Sequence, residues 1–212
     1  MRAKLKFLTA ALTGLLAWPA FAQEQEGITI HLGKDTKGIH IPIGEEDINV
    51  VPAFEDYAFM LFDACDAMGL TVESGDCDIY PMNGPIHRNA IATEIDSDRN
   101  DGKMQKIIVY DRELSDELGS YEGAQGVVAH ELGHHFCGHL AVSQINPEQE
   151  LEADRFAGAV MRKLKFSEGQ AKDMATVFDE RPLKTHPAKA DRIAAIKSGW
   201  NNPDSALSCR RK

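Results

Sequence analysis

Two histidines four residues apart, with a carboxylate directly after the first, could do chemistry together: His130-Glu131-Leu132-Gly133-His134. On a helix, positions four apart lie nearly above one another, about 6 Å apart. Both imidazoles can therefore reach a single metal ion, and zinc suits such a pair. Glu131 stands one step round the helix, where it can reach a water on that metal and act as general base. Val127, Val128, Ala129, Leu132 and Phe136 make the helix apolar and hence buried. A buried His-Glu-His cluster with no metal would be expensive.

A third ligand is needed. His139 lies about 180° round the helix from His130 and His135 about 140°, so both are expected to face away. Cys137 sits about 10 Å along the axis from His130, too far to share its metal. Glu150 is better placed. In Glu150-Leu151-Glu152-Ala153-Asp154, the first and last carboxylates share one face of the following helix. That helix, after a short connection, is expected to pack antiparallel to the first and bring Glu150 to the metal. Asp154 can then accept a hydrogen bond from the far nitrogen of a ligand histidine. Glu152, about 200° round from Glu150, is expected to be solvated.

The elements that position these residues can also be read. Ser120 is expected to cap a helix through Leu140, and Asn146-Pro147 the next, since proline suits the first helical position. Ser167-Glu168-Gly169-Gln170 has capping-box spacing for a third, and His186-Pro187 introduces a fourth that ends near Gly199. Upstream, Phe54 to Met68 carries apolar residues at helical steps until Gly69 stops it. Asp76 to Pro85, punctuated by proline and glycine, reads as loop. Strands are expected over Arg88 to Ile95 and Lys103 to Tyr110. The acidic run between them resembles a calcium loop. Counting from Asp96, however, the sixth position is Asp101 rather than Gly and the twelfth is Ile107 rather than Glu, so it reads as a hairpin connection. Residues 23–52 form an arm or hairpin in which Ile28–Leu32 and Ile39–Ile43 alternate like short strands, and Pro42 makes the second an edge. His31 and His40 on that arm are assigned no role. The expected fold class is α+β, with a small antiparallel sheet packed on the histidine helix and further helices on the far side.

Export is expected from the N-terminus. Arg2, Lys4 and Lys6 precede a short apolar stretch ending at Ala20-Phe21-Ala22, the layout of a signal peptide cleaved after Ala22. The stretch falls short of the roughly 20 residues a membrane span needs. The 53–212 remainder is long enough for one domain. With the signal removed, 20 basic residues face 33 acidic ones. That balance argues against nucleic acid or anionic lipid as a partner. Cys65, Cys77, Cys137 and Cys209 suit two disulfides in an oxidising compartment, with Cys65–Cys77 and Cys137–Cys209 the favoured pairing.

HELGH, followed by ELEADRFAG and then THPAKADRI, resembles the gluzincin metallopeptidases of the HtpX, BepA and CAAX-prenyl-protease type. The resemblance spans roughly Asn89 to Trp200 and suggests a compact, soluble member with a zincin-like fold. It implies zinc on His130, His134 and Glu150, Glu131 as general base, and Asp154 supporting a ligand histidine. It also implies that the strand Asn89-Ala90-Ile91-Ala92 is the edge on which a substrate peptide lies extended. His186, of the THP motif, is left with three readings: a switch ligand on the metal's fourth site, a donor to the oxyanion, or a loop histidine capping the helix at Pro187. The expected function is an exported zinc-dependent endopeptidase acting on protein substrates, as in envelope protein quality control. The alternative is a zinc-binding chaperone-like or interaction protein with a closed site.

Overall fold

A computed structural model of the chain describes residues 39–43, 46–96, 104–141 and 146–209. The signal segment, the arm strand at Ile28–Leu32 with His31, and the acidic connection at 97–102 lie outside the described residues.

The sheet has five strands: β1 (Ile39–Ile43), β2 (Glu46–Pro52), β3 (Ile79–Asn83), β4 (Ala90–Asp96) and β5 (Met104–Tyr110), in the order β1-β2-β3-β5-β4. β1 and β2 pair as an antiparallel hairpin with Ile39 opposite Val50, and β2 in turn joins β3. β4 and β5 form the second expected hairpin, with Ala92 opposite Ile108, which leaves β4 at the edge. β5 is covered on both faces at its end. Ile108 and Tyr110 point to the main helical core, while Ile107 and Val109 join a smaller cluster with Ile41, Val50 and Met82.

Two expectations need correction here. The stretch expected to be loop contains β3, and β3 runs parallel to β5, so the sheet is mixed rather than antiparallel. Pro81 disguised the strand. Its carbonyl accepts from the Ala53 N–H at 3.0 Å, on the side facing the end of β2. Its missing N–H falls on that same side, where the β2 ladder has run out, so the parallel ladder to β5 loses nothing. Gly84 closes the strand against the sheet's packed face, since a Cβ there would crowd Val50 Cγ1 at 2.7 Å.

The helices are α1 (Glu55–Met68), α2 (Glu113–Leu118), α3 (Tyr121–Cys137), α4 (Pro147–Lys163), α5 (Glu168–Ala171) and α6 (Lys189–Asn201). Short 3₁₀ turns occupy His139–Ala141, Asp173–Val177 and Pro203–Cys209. Ser120 caps α3 by accepting from the Gly123 N–H at 3.0 Å. The helix stops at Cys137, not Leu140, because Gly138 turns left-handed at φ 71°. Asn146 and Gln149 form a capping box at the start of α4, with Pro147 in the first turn. Ser167 and Gln170 do the same for α5, which is a single turn. α6 starts two residues later than Pro187, at Lys189, whose N–H donates to the Asp179 carbonyl.

α3 is buried along nearly its whole length, packed by α1 and α4 through Leu132, Phe136, Phe156 and Met60. Each such side chain contributes about 1.5–3 kcal/mol when fully buried. α4 crosses α6 at two glycines: a Cβ on Gly158 would overlap the Ile196 carbonyl, and one on Gly199 the Arg155 carbonyl. Disulfides join Cys65 to Cys77 and Cys137 to Cys209. Among the described residues no helix is long and apolar enough to cross a membrane.

Candidate active site

Gly133 lets the two site helices approach. A side chain there would press on Ala153 Cα and Phe156 Cβ of α4, each 3.1 Å from a Cβ. With α4 this close, Glu150 comes up against His130 and His134 of α3. His130 Nε2 and His134 Nε2 lie 3.0 Å apart. Glu150 Oε2 is 3.5 Å from the first, and Glu150 Oε1 is 3.4 Å from the second. All three residues are buried, and one ligand atom from each falls within 4.8 Å of the others.

The far nitrogens are engaged. His130 Nδ1 lies 2.9 Å from Asp154 Oδ1, an ion-pair distance, although the N–H direction falls short of a well-aligned hydrogen bond. Asp154, fully buried, is held in turn by Arg192 of α6 through two parallel bonds, Nε to Oδ2 and Nη2 to Oδ1, both 2.8 Å. Arg192 Nη2 also reaches to 3.5 Å from Glu150 Oε2, and the Phe178 ring stacks on the guanidinium at 3.7 Å. In the sequence this arginine is only one letter of the THPAKADRI string; its role depends on how α6 crosses α4.

Charge in the pocket is tightly coupled. Burial works against a cationic His130, but Asp154 and Glu150 outweigh it and raise its pKa to about 10. Burial also opposes ionisation of Glu150, yet His130 and His134 hold its carboxyl well below the usual carboxylate range. Arg192 is likewise desolvated, and Asp154 still raises its pKa. His135 points the other way, onto the sheet. Its Nε2 donates to the Ile107 carbonyl at 2.9 Å, and burial pulls its pKa down to about 4.

Glu131 is buried beside the edge strand, and its Oε2 accepts the Ala92 N–H at 2.6 Å. Of the expected edge residues, Ala90, Ile91 and Ala92 lie in β4, and Asn89 precedes it, accepting the Ala90 N–H on its own Oδ1 at 2.9 Å. Asn89, Ile91, His130, Glu131 and His186 line a cleft of about 860 Å3.

Two expectations about orientation fail. His139 does not face away: Gly138 ends the helix, the 3₁₀ turn brings the ring back, and its Nδ1 stands 2.9 Å from His134 Nδ1. Glu152 is not solvated, since its Oε2 meets His139 Nε2 at 2.9 Å and its side chain is 27% exposed. His186 lies on the open side of the site. Its Nε2 is 3.5 Å from Glu150 Oε2, Thr185 Oγ1 meets its Nδ1 at 2.8 Å, and its side chain is 46% exposed. The helix-cap reading of His186 falls away, because Ala188 occupies the cap position of α6 without a side-chain bond.

Residues 140–199 match the model of peptidase family M48. The M48 match includes Glu150, Asp154, His186 and Arg192, and it begins after His134. It therefore covers the ELEADRFAG and THPAKADRI strings of the resemblance but not HELGH, and the His130–His134–Glu150 group is compatible with the zinc site of such a peptidase. The family implies protein or peptide substrates, and its members are typically metal-dependent. No curated protein and no solved structure matches the chain.

Proposed function

We propose that this chain is an exported, zinc-dependent endopeptidase that hydrolyses peptide bonds in protein substrates, with a place in envelope protein quality control. The observation that carries the reading is the unmet chemistry between the three buried groups. Both His Nδ1 atoms face partners of their own, so the two Nε2 atoms are left pointing at each other and at Glu150. Glu150 Oε2 is buried without a hydrogen bond. Two imidazole nitrogens and a carboxylate oxygen converging on one point suit a divalent cation.

His130, His134 and Glu150 would hold the ion, leaving a fourth position toward the cleft. Zinc bound there would supply Lewis acidity, polarising the scissile carbonyl and lowering the pKa of the attacking water. Glu131 would take that water's proton and pass it to the leaving amine. Its carboxylate is already placed against the edge strand by the Ala92 N–H. A substrate strand added along Asn89 to Ala92 would run past this carboxylate and would take over the Ala90 and Ala92 N–H groups from Asn89 Oδ1 and Glu131 Oε2. His186, close to Glu150, would either close the fourth position at rest or donate to the oxyanion.

The closed-site, chaperone-like alternative needs His186 as a full fourth ligand. His186 instead stands outside the three-residue group, half exposed beside a cleft, which favours the catalytic reading. Two disulfides, and a described chain without a membrane-spanning helix, are compatible with a periplasmic or extracellular location. The peptidase domain would occupy 53–212, with residues 23–52 as an arm whose described part extends the sheet.

Glu131→Gln tests the assignment. The variant should keep its zinc and lose at least about a hundredfold in hydrolysis of unfolded casein, because a base is removed and a ligand is not. Undiminished hydrolysis would remove Glu131 from the mechanism.

A further inference from the structure

The segment after α3 contains a fully buried histidine that the proposed reaction does not use. Gly138, left-handed at the end of the helix, throws His139 into a 3₁₀ turn and brings its ring edge-on to His134, with ring centroids 5.0 Å apart. His134 Nδ1 and His139 Nδ1 are 2.9 Å apart, and His139 Nε2 is 2.9 Å from Glu152 Oε2.

We propose that His139 and Glu152 are positioning residues that hold the His134 ring and fix its tautomer for metal binding. The inference rests on the zinc-site reading above. Its logic is one of donors and acceptors. An ionised carboxylate only accepts, so Glu152 requires the proton of His139 on Nε2. The neutral ring then has a bare Nδ1, which accepts from His134 Nδ1–H. His134 is thereby left with a bare Nε2, the atom that faces His130 Nε2 and Glu150 Oε1. A metal ligand needs that bare nitrogen, and the hydrogen bond made by the other nitrogen decides which one is bare.

The arrangement also assigns the carboxylates of α4. Glu150 faces the ligand position itself, Asp154 backs His130 directly, and Glu152 backs His134 through His139. Both histidine ligands are thus steadied from behind by the helix that contributes the third ligand. This gives His139 a reason to be buried that apolar packing does not.

Zinc affinity, measured by competition with a chelator on the full mature chain, tests the proposal. His139→Phe keeps a ring but removes the acceptor, and should bind zinc about 10–100-fold more weakly. His139→Asn, which can offer an amide oxygen near the lost Nδ1, should recover most of that loss. Glu152→Leu should weaken binding in the same direction. With cobalt in place of zinc, the visible absorption bands of His139→Phe should shift from those of the parent, as the His134 ring reorients. Parental affinity and an unchanged cobalt spectrum in folded His139→Phe would overturn the proposal. Should that variant fail to fold, parental affinity in Glu152→Leu would overturn it equally. If the parent itself binds no zinc, the metal-site reading falls and this inference falls with it.

Discussion

Arg192 shows how much of the site rests on a residue that is neither a proposed ligand nor the proposed base. Its guanidinium is buried, doubly bonded to Asp154 and covered by Phe178. Removing one partner of a buried charge pair leaves the other uncompensated, at a cost of about 3–5 kcal/mol. Arg192→Met should therefore lower the unfolding free energy by about that amount in urea titration. Arg192→Lys should recover only part, because a point charge cannot make two parallel bonds. A loss of less than about 1 kcal/mol in Arg192→Met would mean that Asp154 is held by something other than this pair. The candidates His130, Glu131 and His134, and likewise Glu150 and Asp154, could be grouped from the sequence because each set depends on spacing along its own helix. Arg192 was hidden because its partner lies 38 residues away on another helix. His139 departs from its expected orientation for a different reason. The angle of about 180° holds only along a continuing helix, and Gly138 ends the helix one residue before His139.

At the scale of elements, the site is set by two close crossings. Gly133 admits α4 to α3, while Gly158 and Gly199 admit α6 to α4. Since Asp154 lies on α4 and Arg192 on α6, the second crossing fixes the distance between them. Gly199→Ala should force these helices apart. Crowding of a packed contact typically costs about 1–3 kcal/mol, visible as a lower urea midpoint, and a Cβ against backbone belongs at the upper end. An unchanged midpoint would show that the crossing has slack. The capped helices were legible from Ser120, Asn146 and Ser167, since a cap is a local hydrogen bond between near neighbours. The β4–β5 hairpin was legible from alternation. β3 was not, because Pro81 and the glycines around it are loop signals locally and become tolerable only where β2 ends. Its parallel pairing with β5 depends on a long-range partner that no local pattern announces.

Across the whole molecule, the proposed centre joins two separate stretches of the chain. HELGH would supply two ligands and the base, while the stretch matched to family M48 would supply Glu150, with Asp154, Glu152 and Arg192 behind it. The Cys137–Cys209 disulfide ties the end of the histidine helix to the last described turn, 72 residues on. Such a bond stabilises the fold by about 2–4 kcal/mol, and it agrees with the export expected from the N-terminal segment. The central claim is that hydrolysis depends on the bound metal. The direct measurement strips the purified mature protein with a chelator, assays it on unfolded casein, and then returns zinc. We expect hydrolysis to vanish on stripping and to return as a single zinc ion binds per chain. Undiminished cleavage by the stripped protein, or none by protein shown to hold zinc, would contradict the account.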